Sequence, residues 1–347
     1  GGSPPEGIRD IKGVASTFNS YAVWCENGDV HTWGSSSIGG VKPSGLDNVK
    51  LIISSRSFFV ALKYDGTTHC WGGGYDHEFM NVKHIVANEQ AYAAIHFDGS
   101  ISTGGLPSFG NAKVNGSNYI GIPSGVVESR TAEIYVNARC LLAVSEDRRI
   151  TGMWGHSDYV YYVVNENQNR DIATIFHGSS RIVALRSDGA ILCLVRAPNS
   201  APYADCEGVT GVTKVYNTYS NFVLVNAEDK FIKAIGHDSS GGRGPTATEE
   251  SELMAVKIKY VEFTERPWCA FILTEEGKII SFGDAACKDL EVPGGDSVRQ
   301  IFSYLRSYNP FLTAGGAVTE YGKLYLFDQA NGWELQSNTP ANITEVI

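Results

Sequence analysis

The sequence predicts an all-β fold assembled from tandem repeats, and three observations predict it. First, one frame recurs along the chain: an apolar run, a tight-turn pair, a second short run, and an aromatic or glycine ending. Second, the apolar runs are greasy on both faces, as in Phe58-Phe59-Val60-Ala61-Leu62 and Phe222-Val223-Leu224-Val225. Third, a further β-rich run lies upstream of most units, such as Val49-Lys50-Leu51-Ile52-Ile53 and Val298-Arg299-Gln300-Ile301-Phe302.

The units follow in chain order. Unit one turns at Asn27-Gly28 and ends at Trp33-Gly34; unit two turns at Asp65-Gly66 and ends at Trp71-Gly72. Unit three turns at Asp98-Gly99, and unit four at Arg148-Arg149 with Trp154-Gly155 after it. Unit five turns at Asp188-Gly189, unit six at Asp229-Lys230, unit seven at Glu276-Gly277 before Phe282, and unit eight at Tyr321-Gly322 before Phe327. The turns recur about every 42 residues, a period within the range of repeat architectures.

Asp-Gly or Asn-Gly between apolar runs is a hairpin signal, and a two-residue type I′ turn is expected at each. Arg149 and Lys230 fall where glycine is expected, so wider or strained turns are expected there. A strand that is apolar on both faces must be covered on both faces. Burying a large apolar side chain yields roughly 1.5–3 kcal/mol, whereas ordering each residue costs roughly 1–2 kcal/mol in the backbone alone. No single unit is stable by itself, so the units must pack side by side. Strand, strand, turn, strand, stacked between like neighbours, is the blade of a β-propeller. The expected organisation is one propeller domain over residues 1–347, with residues 1–7 a tail or linker scar. Ile343–Ile347 reads as one more strand, completing the ring or starting another unit. Trp33, Trp71, Trp154, Phe282 and Phe327 are expected to anchor one blade on the next. Gly28, Gly66, Gly99, Gly189, Gly277 and Gly322 are expected to form the turns.

The repeats resemble the RCC1-like family, in the diverged form shared with β-lactamase inhibitor protein-II. The residues that carry the resemblance are Ala61, Asp65-Gly66 and Trp71-Gly72, and a tail of Trp33-Gly34, Gly39-Gly40, Pro43, Gly45-Leu46 and Asn48-Val49. The resemblance implies a seven-bladed propeller, against eight units counted. It also implies a role among guanine-nucleotide exchange, chromatin binding, enzyme inhibition and scaffolding. No exchange or chromatin-contact residue of the family matches a position here.

Composition narrows the function. The chain of 347 residues has 28 Lys+Arg against 38 Asp+Glu, a formal charge of −10. Such a surface repels phosphate backbones, which disfavours nucleic acid as partner. No apolar stretch reaches the roughly 20 residues that span a bilayer. Seven cysteines, odd in number and without a CxxC pair, read as reduced thiols packed in the core, which favours a reducing compartment, although a cleaved targeting segment fits the sequence as well. His31 and His69 share one repeat slot and read as packing. The glycine-rich stretches at Gly72 and Gly241 lack a following Lys-Ser/Thr and read as loops.

No nucleophile elbow, zinc motif, calcium loop or dinucleotide fingerprint is present. The expectation is therefore no catalysis, no metal and no cofactor. The loops after the aromatic position mix aromatic, His, Ser and Asp residues, a composition suited to adaptable recognition. Tyr75, His77, His156, Asp158, Tyr159, His237 and Arg243 are the candidate binding residues, and a protein is the expected partner. An enzyme site in the central channel and a carbohydrate-binding module at exposed aromatics are the alternatives. The channel site is disfavoured because the innermost strands look apolar.

Overall fold

The structure, a computed structural model, describes residues 3–73, 78–111, 119–163, 167–178, 181–195, 205–217, 221–236, 244–265, 268–283, 292, 295–304, 314–328 and 332–335. Among them the fold is all-β and of the propeller class: eight antiparallel meander sheets, one for each sequence repeat. Sheet one is Ile11–Ser16, Ser20–Cys25 and Val30–Gly34; sheet two is Val49–Ser54, Phe59–Lys63 and Thr68–Trp71. Sheet three is Val82–Ala87, Ala91–His96 and Ile101–Gly105; sheet four is Thr131–Val136, Cys140–Ser145 and Ile150–His156, with Tyr119–Ile120 added at its edge. Sheet five is Ile172–His177, Ile182–Arg186 and Ile191–Leu194; sheet six is Lys214–Asn217, Phe222–Val225 and Phe231–Ile235. Sheet seven is Ile258–Glu265, Trp268–Thr274 and Ile279–Gly283; sheet eight is Val298–Tyr304, Ala314–Thr319 and Leu324–Asp328, with Gly332–Leu335 as a fourth strand. By Cα proximity the chain divides into two units, Gly1–Ile175 with Leu194–Ala201, and Phe176–Cys193 with Pro202–Ile347; the division passes through sheet five. The closing strand expected at 343–347 lies outside the described residues.

The middle strands are apolar on both faces because each face meets a different neighbour. Phe59 and Ala61 pack with Ala22 and Trp24 of sheet one, while Phe58, Val60 and Leu62 pack with Tyr92 and Ala94 of sheet three. In the second unit Leu224 packs with Val183 of sheet five, and Val223 and Val225 pack with Ala270 and Ile272 of sheet seven.

The turns differ from the expected type I′. In sheet one the Gly28 N–H donates to Cys25 O at 2.9 Å and the Cys25 N–H donates to Asp29 O at 2.9 Å. This is a three-residue loop, a type I turn followed by one residue in the left-handed region. All eight sheets repeat it. The left-handed slot belongs to Gly28, Gly66, Gly99, Gly189, Gly277 and Gly322, and in units four and six to Arg148 (φ 61°) and Asp229 (φ 62°) rather than Arg149 and Lys230. Those two turns are not wider: their closing N–H bonds measure 3.0 and 3.1 Å. Only one residue per turn needs positive φ, so its predecessor is free to serve otherwise. Asn27, Asp65, Asp98 and Asp188 each accept the N–H two residues on, an Asx turn that competes well with alternative backbone pairings.

The same slot joins successive sheets. Its carbonyl accepts the N–H of the residue opening the next sheet: Gly28 from Val49 (3.1 Å), Gly66 from Val82 (2.8 Å), Gly99 from Thr131 (2.8 Å) and Arg148 from Ile172 (3.0 Å). In the second unit Gly189 pairs with Val212, two residues before sheet six (2.9 Å), Asp229 with Ile258 (2.7 Å) and Gly277 with Val298 (2.8 Å). A Cβ on Gly28 would lie 2.9 Å from Asn48 Cα, whereas one on Gly45, also at positive φ, would meet nothing within 4 Å. Gly45→Ala should thus cost only the left-handed backbone term, about 1–2 kcal/mol. Gly28→Ala should cost measurably more, because it also pushes sheets one and two apart. Urea midpoints of the two variants check this; equal midpoints would mean the close approach carries no energy.

The aromatic positions are not equivalent. Trp71 and Trp154 are buried, and each indole N–H donates to a glycine carbonyl of the preceding repeat, Gly39 at 3.1 Å and Gly110 at 3.0 Å. Phe282 and Phe327 are buried. Trp33 is only half-buried and stacks on Tyr21 of its own sheet, with ring centroids 5.4 Å apart.

One helix, Ala247–Ala255, interrupts the pattern between sheets six and seven. A capping box sets its start: the Glu249 N–H donates to Thr246 Oγ1 at 3.3 Å, and the Thr246 N–H donates to Glu249 Oε2 at 2.6 Å. Two orphan donors of the first turn are thereby satisfied. Glu249 and Glu250 are the acidic residues of its first turn.

The cysteines correct another expectation. Cys193 and Cys206 form a disulfide, and Cys269 is disulfide-bonded as well. Among the described residues, Cys25, Cys70 and Cys140 are buried and outside any disulfide, as the sequence suggested. The Cys193–Cys206 bond bears weakly against the reducing compartment favoured above, since such bonds persist where the surroundings are oxidising. Spacing alone does not reveal that two cysteines 13 residues apart are paired.

Candidate functional site

The described loops that follow the third strands of sheets one, three and four leave beside the turns between first and second strands. In the first unit the Ser35 N–H donates to Asn19 O (3.0 Å), the Leu106 N–H to Gln90 O (2.9 Å) and the His156 N–H to Arg139 O (3.2 Å). Each loop is thus pinned to the strand turn beneath it.

Those strand turns are themselves built alike. Ser55 Oγ accepts the N–H of Ser57 and Phe58; Asn88 Oδ1 accepts those of Gln90 and Ala91; Asn137 Oδ1 accepts those of Arg139 and Cys140. Thr17 Oγ1 accepts the Ser20 N–H. The turns are chained across four sheets: the Phe18 N–H donates to Arg56 O (3.0 Å), Arg56 to Glu89 O (2.9 Å), and Glu89 to Ala138 O (3.3 Å). A backbone fixed this way presents its outward side chains at set positions. Phe18 is 72% exposed, with the Arg56 guanidinium 5.6 Å above its ring centroid. Arg139 lies 5.5 Å above the Phe109 ring. Sequence reasoning missed this row; its signal is a Thr, Ser or Asn three or four residues before the second strands of sheets one to four, the residue types that close such turns.

Of the residues expected to bind, His156 and Asp158 are described in full. His156 caps the short 3-10 turn Ser157–Tyr159, its Nδ1 accepting the Asp158 N–H at 3.3 Å, with Asp158 Oδ2 3.8 Å from the same nitrogen. The Asp158 side chain is open to solvent. Tyr159 takes part in that turn through its backbone, and its side chain lies outside the described residues. Tyr75, His77, His237 and Arg243 also lie outside them.

The first strands are less apolar than expected. Glu133 accepts from Tyr135 Oη at 2.6 Å and from Arg148 Nη1 at 2.9 Å. Burial pushes the Glu133 carboxyl up, but these two donors hold it below the ordinary glutamate value. Arg148 also donates to the carbonyls of Ile172 (2.5 Å) and Ala173 (2.7 Å). The left-handed arginine of unit four is therefore a strut onto sheet five. A carboxylate held ionised by an arginine is a poor general acid or base near neutral pH. Burial pushes the Cys140 thiol up to about 12, which leaves it inert as a nucleophile. Among the described residues no cluster of His, Cys, Asp and Glu is arranged to hold a metal ion. No described helix is long and apolar enough to cross a membrane.

Fold and edge together define an all-β protein of the propeller class with a fixed row of loops. No protein-family model and no curated protein matches the chain. Among solved structures it is similar to the CRINKLY WD40 ectodomain of the Arabidopsis thaliana receptor kinase ACR4, at 11% identity over 79% of this chain and 95% of that one, with a TM-score of 0.40. It is also similar to human WBSCR16, at 14% identity over 67% and 78% with a TM-score of 0.42. A third likeness is to Saccharomyces cerevisiae Prp20p, at 14% identity over 92% and 72% with a TM-score of 0.32. At these values the fold class rests on the sheets and their repeated turns, not on the likenesses.

Proposed function

We propose that the chain is a non-catalytic protein-binding platform of RCC1-like repeats, acting as a scaffold subunit or an inhibitor-like binder. The observation that carries this reading is the chained row of strand turns from Phe18 to Ala138, which holds exposed aromatic and arginine side chains on a hydrogen-bonded frame. Pre-ordering a surface lowers the entropic cost of association, and arginine and aromatic residues are the commonest energetic anchors of protein interfaces. The net charge of −10 argues against a chromatin role.

Partners captured from the native source with the wild-type chain should be lost from a Phe18→Ala, Arg56→Ala double variant. A central aromatic or arginine anchor is worth about 2 kcal/mol or more, roughly a thirtyfold loss in affinity. Melting temperature should stay unchanged, since both side chains point outward. A His156→Ala, Asp158→Ala variant tests the neighbouring loop in the same way. Undiminished capture by both variants would remove this edge as the binding face.

A further inference from the structure

The arginines of this chain are not all used alike. Six described arginines lie within 4.0 Å of a carboxylate, as Arg130 does on Glu146 and Arg181 on Asp205. Arg56 does not, although the chain carries 38 Asp+Glu against 28 Lys+Arg. Among the described residues it has no ion pair, and its guanidinium lies over the Phe18 ring instead, 5.6 Å from the centroid.

The backbone beneath that side chain is fully committed. The Arg56 N–H donates to Glu89 O at 2.9 Å, and the Arg56 carbonyl accepts the Phe18 N–H at 3.0 Å. Ser55 Oγ accepts the N–H groups of Ser57 and Phe58, both at 3.1 Å, which closes the turn around it. Stacking occupies one face of a guanidinium and leaves its in-plane N–H edge for acceptors. Arg56 is exposed, and the ring it rests on is 72% exposed, so open apolar area adjoins the cation.

We propose that the Phe18–Arg56 pair docks an acidic segment of a partner protein. An aspartate or glutamate carboxylate takes two N–H groups of Arg56, and a neighbouring apolar side chain covers Phe18. This inference rests on the platform reading and names the chemistry of its partner. A carboxylate matches the guanidinium fork with two parallel bonds. A phosphoryl dianion or a nucleic-acid backbone brings more negative charge towards a chain of formal charge −10, with Glu89 next in the row. One carboxylate beside an apolar group uses the fork and meets the least repulsion. Packed sheets lie about 10 Å apart, a distance that about three residues of extended chain cover. A short segment therefore reaches both side chains.

The test pans random linear peptides displayed on phage against the immobilised full chain. Recovered peptides are then synthesised and titrated by fluorescence polarisation. Their sequences should be enriched, relative to the input library, in Asp or Glu beside an apolar residue. Arg56→Gln should weaken binding about thirtyfold. Arg56→Lys, which keeps the charge and loses the fork, should restore only part of it. Arg56→Glu should instead bind the same peptide with its acid exchanged for lysine. Phosphoserine in place of that acid should bind more weakly, and all variants should melt with the wild type. The proposal falls if no peptide is recovered, if acids are not enriched, if Arg56→Gln binds undiminished, or if phosphoserine is preferred. The platform reading is judged separately, by native partners captured through Phe18 and Arg56, so the two failures are distinguishable.

Discussion

Trp71→Ala is expected to destabilise the protein by about 3–5 kcal/mol, the usual cost of truncating a buried tryptophan. The indole is 6% exposed, stacks on Phe59 at 5.1 Å between centroids, and donates to Gly39 O. The loss has three parts: transfer of the ring to water, a cavity that cannot close, and an orphaned carbonyl in the preceding repeat. Gly39 leaves no side chain to move into the cavity. Trp154→Ala should behave alike, since that indole is fully buried and bonded to Gly110 in the same way. Trp33→Ala should cost clearly less, because its ring is half-open and stacked within its own sheet. Thermal and urea unfolding of the three variants check the order. If Trp33→Ala proved as damaging as Trp71→Ala, the aromatic slot would be uniform and the packing described above would be wrong.

The second large effect is on pH dependence. Burial pushes the His177 imidazole down from 6.5 to about 4, and neither ring nitrogen has a hydrogen-bond partner among the described residues. The unfolded chain takes up a proton at this residue as pH falls through about 6.5; the folded chain resists until about 4. The unfolded state therefore binds more protons across that window, and stability falls as the solution is acidified. The loss should begin below pH 6.5 and be complete near pH 4, reaching about 3 kcal/mol. His177→Leu should lack this component, and should also gain at neutral pH because two unsatisfied buried nitrogens are removed. Urea midpoints measured from pH 7 to pH 4 on both proteins give the comparison. Parallel curves would show that the imidazole is solvated or bonded in the native state.

Much of the molecule is legible in the residues. The eight hairpins, their order and the double-sided middle strands follow from apolar runs broken at fixed intervals by turn-forming pairs, because strand length and turn chemistry are local properties. The turn geometry was half-legible. A glycine announces positive φ, but only the closing bonds tell which residue of Arg148-Arg149 or Asp229-Lys230 takes that conformation. Helix Ala247–Ala255 carried a readable start in Thr246 and Glu249, yet its weakly apolar face, with Leu253 as its buried residue, gave no periodic stripe to notice.

The candidate sites were the least legible. Phe18, Arg56 and Glu89 look unrelated along the chain and become neighbours only through backbone bonds between successive turns. Glu262 and Ser303 come from two sheets and meet in a hydrogen bond because those sheets pack side by side. The Cys193–Cys206 bond likewise needed the strands placed before the sulfurs could be paired. The repeat, the strands and the need to stack are written in the residues, since burial demand and turn preference reside in short segments. Tertiary structure alone decided which side chains converge, because convergence depends on the register between sheets, and that register is set by non-local contacts that leave no periodic trace in the chain.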